Sequence, residues 1–196
     1  MSEIDRIFEI RSNNLKPAKG RLLLSEPLMG DYYFGRSVVL LAEHNKEGSF
    51  GVIINKPVAA KLNEVITDFP DIDAHMFIGG PVETNRLFYL HTFGKEVSDS
   101  TEIMDGVFWG GDVETIKELI ILGKANSDNI RFFIGYSGWG ANQLDSELKR
   151  NSWVITKAEK ELFFNTRPTE MWDTIMQQMG GKYRYWTKFP TDPNLN

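Results

Sequence analysis

The chain reads Gly135-Tyr136-Ser137-Gly138-Trp139-Gly140-Ala141-Asn142-Gln143-Leu144-Asp145 at the junction between an apolar, strand-like segment, 130–134, and an amphipathic, helix-like segment. Three glycines, two aromatic residues and a helix-capping residue stand together at this junction. Glycine adopts backbone conformations that other residues rarely enter. We therefore predict a tight turn between a buried strand and a helix, with Asn142 as the N-cap of that helix.

Composition limits the classes of protein to which this chain can belong. It has 196 residues, of which 41% are hydrophobic and 25% charged, so we expect a single domain over 1–196 with a core of its own. The absence of cysteine excludes disulfides, thiol nucleophiles and cysteine-zinc sites. A net charge of -5 argues against direct binding to DNA through its phosphates.

Neither a secretory leader nor an apolar run long enough to cross a bilayer is visible, so we expect a cytoplasmic protein without membrane attachment. Residues 1–19 form a polar lead-in, and 182–196 form a tail in which basic and aromatic residues alternate. A tail of this kind docks on its own domain or on a partner, or, less often, stacks on nucleic-acid bases.

Strand patterns dominate the first two thirds of the chain and helical patterns collect later. This order predicts an α+β fold with a mixed, largely antiparallel sheet rather than a βαβ repeat. The predicted strands cover 21–25, 37–43, 50–55, 76–78, 86–92, 107–109, 130–134 and 153–155. The predicted helices cover 62–69, 113–122, the segment after Asn142, and a last helix that Pro168 opens and Gly180 ends.

The motif around Ser137 does not suit a serine nucleophile. A nucleophile elbow requires glycine two residues after the serine, where this chain has Trp139. All three histidines, His44, His75 and His91, lie upstream of the serine, against the chain order of such enzymes. No two of them are spaced i, i+4 as in a zinc-protease helix, so we predict neither a metal site nor a catalytic residue.

Two functional interpretations remain open beside the structural ones. The glycines around Trp139 either allow a tight turn beneath a packed indole or expose N–H groups to a small anion at a helix start. Their spacing is not that of a dinucleotide-binding loop, and no phosphate-binding lysine follows. Arg36 either forms an ion pair with Asp31 or Glu43, or binds an anion at the mouth of a strand.

Three glycine-rich segments each follow a predicted strand: Gly79-Gly80-Pro81, Gly110-Gly111 and Gly138-Trp139-Gly140. If those strands lie side by side and parallel, the segments form one rim with the helix starts at Asp112 and Asn142. Antiparallel neighbours would instead separate them.

Several blocks in this order resemble the AlgH/YqgE family of bacterial proteins. They are Gly20-Arg21-Leu22-Leu23-Leu24-Ser25-Glu26-Pro27, Phe34 to Asn45, Gly51 to Pro57, Gly79-Gly80-Pro81-Val82, Leu90-His91, Gly135 to Gly140, Gln143 to Leu148, and Asn151-Ser152-Trp153. The match covers about 20–181. The resemblance implies a compact domain with a twisted, barrel-like mixed sheet flanked by helices, and some members carry a transcriptional-regulator label. Family members commonly have alanine at position 137.

These observations favour a non-enzymatic binding or regulatory protein without cofactor, whose partner is a protein or a small anion. The alternative is an enzyme or small-anion-binding protein that uses Arg36, His44 and the Gly135-Gly140 loop. The predicted binding surface consists of Arg36, His44, Gly79, Gly80, Gly138, Trp139, Gly140 and Gln143.

Overall fold

A mixed sheet organises the part of the chain that the computed structural model describes, residues 11–74 and 76–190. His75, most of the predicted lead-in and the last six residues of the tail lie outside the described residues. The strands are β1 Arg21–Ser25, β2 Val38–Asn45, β3 Gly48–Ile53, β4 Pro57–Val58, β5 Met76–Ile78, β6 Val82–His91, β7 Thr101–Met104, β8 Val107–Trp109, β9 Ile130–Gly140 and β10 Trp153–Lys157.

The helices are short and mostly follow the first eight strands. They are α1 Leu62–Val65, α2 Val113–Ile121, α3 Gln143–Lys149, α4 Lys160–Asn165, α5 Met171–Met179 and α6 Tyr183–Trp186. Asp112 caps α2 as predicted, since its side chain accepts a hydrogen bond from the N–H of Thr115. No helix within 11–74 or 76–190 is long and apolar enough to cross a membrane.

The strand order is β10-β1-β2-β3-β9-β6-β8-β7, with β5 beside β9 and β4 beside β5. The β5–β9 pair is parallel, and the other pairs are antiparallel, which confirms the α+β class and the mixed sheet. Gly20, just before β1, lies against the backbone of Ile103 in β7, which shows that the sheet curls. This curl gives the sheet its barrel-like shape.

Strand β9 joins the two halves of the sheet. Its first half pairs with β6 and β5, whereas Ser137 to Gly140 pair with β3. The change from β5 to β3 occurs between Ile134 and Ser137, where Gly135, with a φ of +68°, bends the strand. The prediction of a turn at Gly135-Gly140 is therefore wrong, because these glycines bend a continuous strand instead of ending it.

Gly79 and Gly80 make that bend possible. A Cβ atom at Gly79 would lie 2.1 Å from the carbonyl oxygen of Gly135, and one at Gly80 would lie 2.3 Å from that of Tyr136. Both positions therefore need glycine so that two backbones can touch. The buried hydroxyl of Ser137 donates to the carbonyl oxygen of Gly79 at 3.0 Å, which gives this serine a structural contact.

Glu147 of α3 holds two tryptophans of the sheet. The indole N–H groups of Trp139 and Trp153 both donate to its Oε2 atom, at 2.9 and 2.7 Å. The two rings lie edge to face with centroids 5.8 Å apart, and Trp139 is only 6% exposed. Gln143 extends the network, since it donates to Glu147 and accepts from the N–H of Gly140.

Asn142 does not cap α3 with its side chain. Its backbone is left-handed, with φ 60°, and the side chain makes no capping hydrogen bond. The predicted N-cap position is confirmed, but the hydrogen bond expected from a capping side chain is not formed. Asparagine tolerates this left-handed conformation better than most residues, which explains its presence between β9 and α3.

One buried cluster fills the interior of the curl, and helices close its end near the start of β2. Met171, Trp172 and Ile175 of α5 and Trp186 of α6 belong to this cluster. Phe189 also packs against it, so the described part of the aromatic tail docks on its own domain. Two further clusters lie on the outer faces of the sheet, one beneath α2 and one beneath α3.

We predict that Gly79→Ala lowers the free energy of unfolding by about 3 kcal/mol or more, because the new methyl group collides with the backbone of β9. Urea denaturation measures this change. Gly30→Ala is the matched control, since a Cβ at Gly30 meets no atom within 4 Å. Equal stability of the two variants would contradict the account of the bend.

We predict that Glu147→Leu lowers the free energy of unfolding by about 2–4 kcal/mol, because two buried indole N–H groups lose their acceptor. Glu147→Gln retains an acceptor and loses only the charge, so its cost is about 1 kcal/mol. Glu118→Leu, on the exposed face of α2, is the control. Urea denaturation measures these changes. Equal free energies of unfolding for Glu147→Leu and Glu118→Leu would contradict a stabilising role for the hydrogen bonds from the two indoles to Glu147.

Candidate functional site

The interior of the curl opens to solvent at the end opposite α5, and we call this opening the mouth groove. Its volume is about 640 Å³. Mouths of curled sheets and barrels are common binding sites. The groove is lined by Glu43, Asn45, Glu47, Gly48, Ser49, Phe50, Val82, Glu83, Arg86, Phe88, Trp109, Tyr136, Gly138, Trp139 and Gly140.

Four half-buried aromatic rings from four strands form the floor of the mouth groove. Phe88 and Trp109 are stacked with centroids 5.4 Å apart, and Phe50 meets Trp109 edge to face at 5.6 Å. Tyr136 completes the group, 5.6 Å from Phe88 and 6.1 Å from Phe50. All four rings pack on the central cluster, which fixes their positions. The groove therefore presents aromatic surface on a rigid support.

Acidic side chains dominate the rim of the mouth groove. Glu43 and Glu47 stand on the β2–β3 hairpin, and Glu83 stands on the opposite side in β6. Arg86 is the one basic residue among the lining residues. It forms an ion pair with Glu83 at 2.6 Å, and its guanidinium carbon lies 5.5 Å from the centre of the Phe88 ring. The lining therefore carries three carboxylates and one cation.

Part of the predicted binding surface lies in this groove. Gly138, Trp139 and Gly140 line it, and Gln143 contacts Gly140 from α3. Gly79 and Gly80 are buried against the bend of β9 and do not belong to the lining. Their role in the structure is the close backbone contact described above.

The predicted rim of three glycine segments is not a single surface. Val82, which follows the Gly79-Gly80-Pro81 segment, and Trp109, which precedes Gly110, line the groove. Gly110 and Gly111 themselves do not. Gly111 is packed on Val97 and Ser98 instead. The antiparallel pairing of β6 with both β8 and β9 separates Gly110-Gly111 from Gly79-Gly80 by several strand widths.

Arg36 and His44 lie at opposite ends of β2, and a strand of that length spans roughly 25 Å. His44 is near Gly140, because both line a small cavity beside the mouth groove. Its Nδ1 atom lies 2.7 Å from the hydroxyl of Ser49, its cross-strand neighbour. The combination of Arg36, His44 and the glycine segment is therefore not one site.

Arg36 has contacts that differ from both predicted ion pairs. Its guanidinium donates to the carbonyl oxygen of Phe189, lies 3.5 Å from the carboxylate of Asp173 and covers the ring of Trp172. The expectation of Asp31 or Glu43 as partner is thus corrected, because α5 and the segment after α6 fold over this arginine. Asp173 and Phe189 are distant from Arg36 in sequence, so local spacing could not predict these contacts.

His91 belongs to the core and has no free nitrogen for a metal. It is stacked between Phe93 and Phe108, with ring centroids at 5.5 and 5.9 Å. Its Nε2 atom faces the carbonyl oxygen of Gly110, and its Nδ1 atom accepts the N–H of Phe93. Burial lowers the pKa of His91, so the ring is neutral at physiological pH.

Sequence reasoning missed the aromatic floor. Phe50, Phe88, Trp109 and Tyr136 alternate with core residues along their strands, which is the usual pattern of a buried face. The available signal was the large aromatic side chain that all four residues carry. It could not be separated from core packing without the sheet order.

Sequence and structure comparisons agree on the relatives of this chain. The profile of the AlgH-like family, DUF179, matches residues 22–184. A UPF0301 protein of Bacteroides fragilis is 45% identical over 191 residues, 97% of each chain. One of Chlorobium limicola is 40% identical and covers 94% of this chain and 97% of its own.

Two solved structures share the fold. The AlgH protein of Pseudomonas aeruginosa, solved in solution, has a TM-score of 0.69 at 28% identity, over 91% of this chain and 98% of that one. Protein DIP2367 of Corynebacterium diphtheriae has a TM-score of 0.75 at 21% identity, over 90% and 95%. The latter is similar in fold alone. From the profile and the relatives together, the chain belongs to the AlgH-like family.

Proposed function

We propose that this protein is a non-enzymatic, cytoplasmic binding protein whose mouth groove receives a cationic side chain, arginine or lysine, from a segment of a partner protein. The observation that carries this proposal is the convergence of four aromatic rings beneath a rim of carboxylates. Aromatic faces attract cations through their quadrupole, and desolvation strengthens the attraction. The carboxylates add charge complementarity and steer a basic partner toward the groove.

The contact of Arg86 with Glu83 and Phe88 is an internal example of this recognition. A guanidinium of the chain itself already lies over one ring of the floor and against one carboxylate of the rim. Glu43 and Glu47 have no basic partner within 4 Å among the described residues. The hairpin side of the groove therefore keeps its negative charge for an incoming cation.

The pair of Ser49 and His44 gives the enzymatic alternative its best support, since a hydroxyl lies near an imidazole nitrogen. Nucleophilic catalysis also requires a group that orients the histidine. In the described residues, no hydrogen bond joins a carboxylate to the ring of His44. Opposed positions in the β2–β3 hairpin account for the contact without catalysis.

A regulatory role would act through a protein partner. The acidic rim and the net charge of -5 both oppose binding to the phosphates of DNA. A half-buried aromatic floor suits a protein segment better, because arginine and aromatic contacts supply much of the binding energy of protein interfaces. The small-anion alternative has no support in this groove, whose lining carries three carboxylates.

We predict that a short acetylated and amidated peptide, Gly-Ser-Arg-Ser-Gly, binds in the groove and shifts the backbone amide signals of Phe50, Trp109 and Gly138 in a nitrogen-15 NMR titration. The same peptide with citrulline, the neutral isostere of arginine, should bind about tenfold more weakly because it lacks the charge. Equal affinity for the two peptides would contradict recognition of a cation.

The protein itself supplies the matched control. The double variant Glu43→Gln/Glu47→Gln removes two exposed charges from the rim and should weaken the arginine peptide by several-fold. Glu118→Gln removes an exposed charge from α2 and should leave the affinity unchanged. If the rim variant and the control bind alike, the carboxylates do not take part.

A further inference from the structure

A second cavity lies near the start of β2, at the opposite end of this strand from the mouth groove. We call it the basic pocket. Its volume is about 760 Å³. It is lined by Pro27, Leu28, Met29, Gly30, Asp31, Tyr32, Tyr33, Gly35, Arg36, Asn55, Lys56, Pro57, Ile78 and Thr169. Two of these residues are cations and one is an acid.

Lys56 is a half-buried ammonium with most of its donors unused. Its Nζ atom donates to the carbonyl oxygen of Gly35 at 2.6 Å, which occupies one of its three N–H groups. No carboxylate within residues 11–74 and 76–190 lies within 4 Å of this nitrogen. Burial lowers the pKa of Lys56, because desolvation disfavours the charged ammonium.

Arg36 places a second positive charge at the wall of the pocket. Its φ of 49° is unusual for a residue with a long side chain, and Asn55 holds this conformation by donating to the carbonyl oxygen of Arg36 at 2.9 Å. Asp173 offsets the charge only in part, because it lies at 3.5 Å and is 43% exposed. The Nε–H group of Arg36 is buried without a partner.

Asp31 is the acidic residue in the lining, and its carboxylate forms hydrogen bonds within its own loop. Its Oδ1 atom accepts the N–H groups of Tyr33 and Phe34 at 2.8 and 2.9 Å. These two hydrogen bonds keep the carboxylate at the turn, where it forms no ion pair with Lys56. The side chains that face the pocket therefore hold more positive than negative charge.

We propose that the basic pocket binds a small oxyanion, a carboxylate or a phosphate group, which accepts hydrogen bonds from the free N–H groups of Lys56 in the positive field of Arg36. Lysine binds such groups as a compact charge with several donors. The site is independent of the mouth groove, because it lies at the other end of β2 and selects the opposite charge. The protein would then bind a small anion at one end and a cationic partner segment at the other.

The test is an NMR titration of the whole protein with inorganic phosphate and, separately, with acetate at constant ionic strength. We expect saturable shifts of the Gly35, Arg36 and Lys56 amides, and the anion that binds more tightly identifies the class of ligand. Lys56→Met should weaken binding by about tenfold, whereas Lys157→Met, an exposed lysine at the end of β10, should not. Absence of saturable shifts with both anions, or equal binding by Lys56→Met, would overturn the proposal.

A second measurement uses the unaltered protein, in case Lys56→Met does not fold. A bound anion favours the charged form of Lys56, so its side-chain pKa should rise as the anion saturates the site. A side-chain pKa that stays the same at saturation would place the anion elsewhere and would overturn the assignment to Lys56.

Discussion

The contact between the backbones of Gly79-Gly80 and Gly135-Tyr136 is the constraint on which the rest of this structure depends. It lets β9 bend and exchange its neighbour β5 for β3 along a single strand, while β6 stays on the other side. Without that exchange the two halves of the sheet could not share one strand, and the sheet could not curl around the central cluster. The curl in turn creates an interior with two ends, one covered by α5 and one open.

The two ends of the curl differ in chemistry because different residues close them. At the open end, carboxylates surround four aromatic rings, and the indole network around Glu147 fixes the wall formed by Trp139. At the covered end, α5 and the chain beyond α6 pack on Arg36, and Lys56 stands beside them. One strand, β2, connects an acidic surface to a basic one. Because of this polarity, the two proposed sites select ligands of opposite charge.

Much of the fold could be predicted from the sequence, since β5, β8 and the cap of α2 match their local patterns. The bend in β9 could not, because Gly135 with positive φ is compatible with either a turn or a bulge, and only the partner backbone at Gly79 decides. The segment Gly138-Trp139-Gly140, predicted as part of a binding surface, lines the mouth groove. The aromatic floor and the partners of Arg36 depend on contacts between residues far apart in sequence, which no local pattern encodes.

The central claim is that the aromatic floor of the mouth groove holds a cationic side chain. The most direct measurement is the set of intermolecular nuclear Overhauser effects between an arginine-containing peptide and the protein. The account predicts effects from the arginine methylene protons to the rings of Phe50, Trp109 and Tyr136, because cation–π contacts bring these groups within about 6 Å. Effects confined to other surfaces of the protein would contradict it.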